Sequence, residues 1–310
     1  MHQLAGEHIL VTGGSGFIGR SVVAALAAAG ARVRVADRVH YADETRDPVA
    51  GVEVVAGDLR DPDVRDAAVT GVLTGIVHLA AITSVLGSLA DPAAVHAANV
   101  DVTAGLLELA RRRDVDHFVL ASTNAVTGNV GAATIDESLP LRPLTPYGAT
   151  KAAGEMLLSG YAGGYGMTTC ALRLTNVYGP GMALKDSFVP RLMRAARDGT
   201  TIQVYGDGEQ RRDLVHVSDV VQGLFAAWNG NHVGPLVIGA GRSVSVMEMV
   251  DAVRKVTGRP IATEHVPPKS GEMPAVIVSI DKARSLGYAP AVDLVTGLGT
   301  VWADLRQTDV

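Results

Sequence analysis

Tyr147 and Lys151 stand four residues apart in the segment LTPYGATK, residues 144–151. Thr145 can cap a helix there and Pro146 suits its first position, so the two side chains share one helix face about 5–6 Å apart. A phenol with an ordinary pKa of about 10 is a poor base at neutral pH. A neighbouring ammonium and the positive end of a helix favour the tyrosinate and lower that value. Such a phenol can take a proton from a hydroxyl while hydride leaves the same carbon. A second constellation is ILVTGGSGFIG, Ile9–Gly19: an apolar run, then Gly13, Gly16 and Gly19, with Phe17 opening a helical pattern that reaches Gly30. Strand, glycine turn and helix in that order form the dinucleotide-binding fingerprint, in which missing side chains let backbone N–H groups approach a pyrophosphate. Asp37 closes the next strand pattern, VRVAD, close to the roughly 20-residue offset of a ribose-binding carboxylate. A third element, VLASTNAVTG (119–128), offers Ser122 and Thr123 as hydroxyls at a strand end.

The elements that must position these groups alternate through the first half. β-rich runs fall at His8–Thr12, Arg32–Ala36, Val52–Ala56, Gly75–Ala80, Phe118–Ser122 and Thr168–Leu174; helical patterns cover Phe17–Ala29, Pro62–Val69, Ala93–Arg113 and Pro146–Tyr161. The pattern predicts an α/β fold, a Rossmann-type doubly wound parallel sheet. Ligands of such sheets lie beyond the carboxyl ends of the strands, where Gly13, Asp37, Asp58, Ala80, Ala81 and Thr123 fall. After Leu174 the pattern loosens into a helix at Phe188–Arg197, a helix Asp219–Trp228 with Ser218 as its expected cap, and a helix Val246–Val256 capped by Ser245. The expected division is a nucleotide-binding domain over 1–174, with a returning segment near 213–240. An interleaved, smaller C-terminal substrate domain takes 175–212 and 241–310.

Composition excludes several classes. With 47% apolar and 19% charged residues the 310-residue chain is globular. A net charge of −5 argues against nucleic acid and against an anionic membrane surface. Cys170 is the only cysteine, which excludes an internal disulfide and a cysteine metal cluster, and no metal site is expected. No apolar run approaches the length of a membrane span and no signal peptide is visible, so a soluble cytoplasmic protein is expected.

Together these motifs resemble the extended short-chain dehydrogenase/reductase family, in its nucleotide-sugar epimerase and dehydratase branch. Further landmarks are GDLRD at 57–61, HLAA at 78–81, NV at 99–100, LRLTNVYGPG at 172–181, VYGDGEQRRDLVHVSDV at 204–220 and SGEMP at 270–274. The resemblance implies NAD as cofactor. It makes Tyr147 the base, Lys151 its modulator and a ribose ligand, and Thr123 the hydroxyl that completes the trio. It places Gly13, Gly16, Phe17 and Ile18 at the pyrophosphate, Asp37 at the adenosine ribose, and Asp58 with Leu59 at the adenine. Ala80 and Ala81 lie beside the cofactor and Asn99 near it. Asp37 favours NAD because it repels a 2′-phosphate; Arg38 softens that preference. On the substrate side the resemblance implies Ser84, Thr123, Asn176, Arg212, Lys269 and Glu272, the last two being a lysine where the family usually has arginine and an acid near the nucleotide ribose. Arg212 has a plain alternative as the partner of Asp213; Arg211 reads as a solvated charge, and His78 and His216 as structural.

Two departures bear on the reaction. Dehydratases of this branch carry an Asp-Glu pair directly after the catalytic threonine; here Asn124 and Ala125 stand there, and neither can serve an elimination as acid or base. Thr127 replaces a usual tyrosine in a loop that touches the sugar in relatives. The leading expectation is an NAD-dependent 4-epimerase of UDP-sugars or UDP-uronic acids; the alternative is net oxidoreduction of a sugar by the same residues. A homodimer is expected through Ala93–Arg113 and Pro146–Tyr161, by way of Val95, Val102, Leu106, Leu109, Met156, Leu157 and Tyr161.

Overall fold

Ile9, Leu10 and Val11 are wholly buried, as a strand in the middle of a parallel sheet covered on both faces has to be. They lie in β1 (His8–Thr12), the first strand of the computed structural model, which describes residues 4–44, 48–183, 185–268 and 274–308. The chain continues through α1 (Phe17–Ala28), β2 (Arg32–Asp37), α2 (Tyr41–Glu44), β3 (Glu53–Ala56), α3 (Pro62–Ala68) and β4 (Gly75–His78). Next come α4 (Val85–Ala90), α5 (Pro92–His96), α6 (Val102–Arg112) and β5 (His117–Thr123). β6 (Thr134–Ile135), α7 (Pro146–Tyr165), β7 (Thr168–Leu174), β8 (Asn176–Tyr178), α8 (Phe188–Asp198) and β9 (Ile202–Tyr205) follow. The remainder is β10 (Arg211–His216), α9 (Val217–Asn229), β11 (Gly234–Ile238), β12 (Ser243–Ser245), α10 (Val246–Thr257), β13 (Thr263–Val266), β14 (Ile277–Val278), α11 (Asp281–Ser285) and α12 (Leu294–Thr308).

Seven strands form one sheet in the order β11-β7-β5-β4-β1-β2-β3, and those from β7 to β3 pair in parallel. The predicted Rossmann-type sheet is therefore present. Its order reverses between β1 and β4, which pair Thr12 with His78, so the turns after these two strands flank the crevice where such sheets bind ligands. The chain divides into two units: one holds Met1–Asn129, Glu137–Leu174 and Gly223–Leu236, the other Val130–Asp136, Thr175–Gln222 and Val237–Val310. In the first, Leu10, Ile76, Leu106, Leu107, Phe118 and Leu120 pack between sheet and helices. Among the described residues no helix is long and apolar enough to cross a membrane.

Three local expectations change. The helix predicted over Ala93–Arg113 is interrupted by a π-helical turn at Ala97–Asp101 between α5 and α6, a distortion that often marks a functional site. Ser218 does not cap α9, which already begins at Val217; the His216 imidazole accepts the Ser218 N–H at 3.3 Å instead. Val95, Val102 and Leu106 are buried inside the first unit, so they offer no face to a partner. Ser245 caps α10 as predicted, in a reciprocal box with Glu248.

Candidate active site

The glycine turn after β1 is built by close approach. A Cβ on Gly13 would stand 2.7 Å from the Ala80 nitrogen, and one on Gly19 would stand 2.1 Å from the Gly13 carbonyl oxygen. Only hydrogen fits at either place, so the turn is packed against the end of β4 and against itself. Gly16 sits at the N-cap of α1, which has no side-chain cap and no acidic residue in its first turn. A helix N-terminus held bare in this way suits a pyrophosphate, and the cradle fits a dinucleotide. Asp37 reaches back to it: its carboxylate accepts the Ser15 N–H at 3.0 Å, and the Ser15 hydroxyl donates to the Val39 carbonyl at 2.9 Å. Asp58 is gripped by Arg60 at 2.7 Å, which holds its carboxyl down at about 2. Leu59 is buried, while Arg38 is exposed.

The second wall of the site is the start of α7. Thr145 caps it by accepting the Gly148 N–H at 3.2 Å. Gly154 then lets the helix lie close on β5, since a Cβ there would stand 2.9 Å from the Leu120 Cδ2; a Cβ on Gly148 would likewise stand 3.1 Å from the Ala125 carbonyl oxygen. This approach brings Tyr147 into hydrogen bonding with Thr123. Thr123 also caps the 3-10 turn Asn124–Thr127, accepting the Ala125 N–H at 3.2 Å. Lys151, one turn along, is only 4% exposed, and burial brings its ammonium down to about 8. Burial also pushes the Tyr147 phenol up, against the Thr123 hydrogen bond that lowers it. The expectation of a lowered phenol is thus reversed, because shielding from water outweighs the favourable contacts.

Of the two candidate hydroxyls, Ser122 is committed elsewhere. It donates to Glu155 at 2.5 Å, and the same carboxylate accepts Arg173 at 2.8 Å in a pair that is 6% and 3% exposed. Sequence reasoning did not single out Glu155 or Arg173. The signal was there: Arg173 is the one charge in the apolar strand TTCALRL, and Glu155 follows Tyr147 and Lys151 at helical spacing on α7. Asn99, in the π-helical turn, is 3% exposed; its amide clasps both the N–H and the carbonyl of Ile82, at 2.8 and 3.0 Å. Ser84 caps α4 by accepting the Gly87 N–H at 2.9 Å. Ala80 donates its N–H to Thr12 at 3.2 Å, and Ala81 follows it half-buried. Thr127 is buried and donates to the Asn124 carbonyl.

In the second unit, Asn176 and Arg212 lie on the paired strands β8 and β10. The Asn176 amide donates to the Asp213 carbonyl at 3.0 Å, and Arg212 donates to the Arg211 carbonyl at 2.8 Å. The Asp213 carboxylate is fully buried and accepts from the Thr175 hydroxyl and from the Ala240 and Arg242 N–H groups. Arg211, read above as a solvated charge, pairs with Glu248 at 3.5 Å and donates to the Ser243 carbonyl. Lys269 and Glu272 lie outside the described residues.

Comparison with known proteins agrees with this geometry. The profile of the NAD dependent epimerase/dehydratase family matches residues 9–239. The chain is 33% identical over 303 residues to a putative UDP-glucose 4-epimerase of Methanocaldococcus jannaschii, covering 94% of this chain and 96% of that one. It is equally 33% identical over 304 residues to a dTDP-glucose 4,6-dehydratase of Streptomyces niveus, covering 94% and 90%. Among solved structures it resembles the UDP-glucose 4-epimerase of Thermus thermophilus in complex with NAD, with a TM-score of 0.85 and 32% identity over 96% of this chain and 99% of that one. The glycine cradle, the Tyr147–Lys151 helix and this similarity along the chain lead to one conclusion: it is an enzyme of the NAD-dependent epimerase/dehydratase family, with NAD as its cofactor.

Proposed function

We propose that this enzyme is a nucleotide-sugar 4-epimerase, acting on a UDP-linked sugar or uronic acid by transient oxidation at carbon 4. The observation that carries the reading is the turn directly after Thr123. Asn124 and Ala125 occupy its first two positions, so the place where dehydratases keep an acid and a base holds no ionisable group. Elimination of water needs both; oxidation and re-reduction at one carbon needs only the Tyr147, Thr123 and Lys151 trio.

In this mechanism the Tyr147 tyrosinate takes the proton of the carbon-4 hydroxyl, and Thr123 holds the same oxygen by a hydrogen bond. The Lys151 ammonium favours the tyrosinate and opposes the rise that burial imposes on it. NAD, when bound, supplies the hydride acceptor and then the donor. A raised pKa makes the Tyr147 tyrosinate the stronger base for the abstraction; after the keto sugar turns over, Tyr147 returns its proton to the oxygen. Gly13, Gly16, Phe17 and Ile18 are the proposed pyrophosphate contacts, Asp37 the ribose contact, and Asn176 with Arg212 the diphosphate ligands. Arginine suits that last task through its forked donors. A homodimer is also proposed, supported by Met156 and Tyr165 of α7 and Leu86 and Leu89 of α4, all of which are exposed.

The test is chromatography of UDP-glucose, UDP-N-acetylglucosamine and UDP-glucuronic acid after incubation with purified protein and no added NAD. An epimer accumulating beyond the enzyme concentration supports the reading. An oxidised product formed only with added NAD, with one NADH per product, would favour net oxidoreduction.

A further inference from the structure

The buried polar groups beneath Tyr147 form a continuous chain whose proton directions can be counted. The Thr150 hydroxyl donates to the Tyr147 carbonyl at 2.8 Å, so it must accept from the Asn99 amide at 3.0 Å. The other Asn99 amide proton goes to the Ile82 carbonyl, and the Asn99 oxygen accepts the Ile82 N–H, which fixes the amide orientation. The Thr103 hydroxyl donates to the Asn99 carbonyl at 2.6 Å; having one proton, it must accept from His78 Nε2 at 3.1 Å. His78 Nδ1 is then the bare nitrogen and accepts from the Thr12 hydroxyl at 2.6 Å, which in turn accepts the Ala80 N–H. Thr12, His78, Thr103, Asn99 and Thr150 are all at most 6% exposed. One end of the chain is the segment after β4 that closes on Gly13; the other is the first turn of α7.

We propose that His78, fixed as its Nε2–H tautomer, is a positioning residue that ties the end of β4 to the first turn of α7 and so places Tyr147 against the nucleotide turn. The ring cannot be replaced by a cation there, because Thr12 needs an acceptor and the Lys151 charge lies nearby; burial accordingly brings its pKa down to about 3. The proposal rests on the reading of Tyr147 as the proton-transfer group, but its test does not.

The experiment uses the full chain loaded with NAD and labelled with ¹⁵N-histidine, with the His78 signals assigned by their loss in His78→Gln. Long-range ¹H–¹⁵N spectra should show His78 protonated at Nε2 and bare at Nδ1, without titration between about pH 5 and 9. Amide exchange at Tyr147–Lys151 should quicken at least about tenfold in Thr150→Val and return to the wild-type rate in Thr150→Ser, which restores the hydroxyl. Turnover should follow, with kcat falling in Thr150→Val at unchanged KM and recovering in Thr150→Ser. If Thr150→Val does not fold, His78→Gln, whose amide keeps a donor at the Nε2 position, should protect α7 better than His78→Asn, which loses it. An Nδ1–H tautomer, titration within the range, or equal exchange in the valine and serine variants would overturn the proposal. Failure of the epimerase reading appears separately, as turnover retained in Tyr147→Phe.

Discussion

Around Gly13 the site is shaped by side chains that are missing, whereas around Tyr147 it is shaped by polar side chains that are buried. At the nucleotide turn a Cβ would stand 2.1 Å from backbone at Gly19 and 2.7 Å at Gly13. Beneath α7 the Glu155–Arg173 pair and the chain through His78 fill the interior with partnered charge and hydroxyl. The first wall is rigid because backbone meets backbone, and no rotamer can relieve an intrusion. The second is rigid because each group has one donor and one acceptor to satisfy, and an unpaired one is costly in a buried place. The two walls should therefore break differently.

Breaking the first should be all-or-none. Gly19→Ala puts a methyl within the Gly13 carbonyl and displaces the turn, so the purified protein should carry no NAD; acid release followed by chromatography measures it. Tyr147→Phe removes the phenol without touching the cradle. It should keep bound NAD while kcat falls by about 10²–10⁴-fold, the usual worth of a positioned proton-transfer group. Arg173→Met leaves the Glu155 carboxylate buried without its cation and should cost about 3–5 kcal/mol in denaturant unfolding. Smallest near neutrality, where it only begins, is a slope with pH. His78 folds with its pKa lowered to about 3, so the unfolded chain binds more protons between the unfolded value near 6.5 and that value, and the native state loses stability as pH falls through this window. In His78→Gln the fall over this range should be shallower by up to about 1.4 kcal/mol per pH unit.

The same contrast decides what could be read from the sequence. A wall made of absent side chains leaves a trace in consecutive residues, and GGSGFIG announced the turn, its strand and its helix. The parallel strands β1 to β5 and β7 were legible from their apolar runs, and α7 from its Thr-Pro start. A wall made of partnered polar groups leaves no such trace. Thr12, His78, Asn99, Thr103 and Thr150 come from four separate segments, and their meeting depends on the π-helical turn that a continuous pattern over Ala93–Arg113 conceals. The residues alone left Ser122 and Thr123 both open and only the family resemblance chose Thr123; the Glu155 carboxylate that engages Ser122 gives the physical reason. The sign of the Tyr147 shift was illegible for a similar reason, since burial is set by what packs around the phenol and not by its neighbour at four residues.

The account stands on hydride leaving and returning to carbon 4, and an isotope follows that directly. Whichever UDP-sugar the panel identifies would be supplied with deuterium at carbon 4 and converted to equilibrium in ordinary water, and its product read by mass and proton spectra. The account predicts an epimer that still carries deuterium at carbon 4, with none passed to solvent. Deuterium found at carbon 6 of a dehydrated product, or lost to free reduced cofactor, would contradict it.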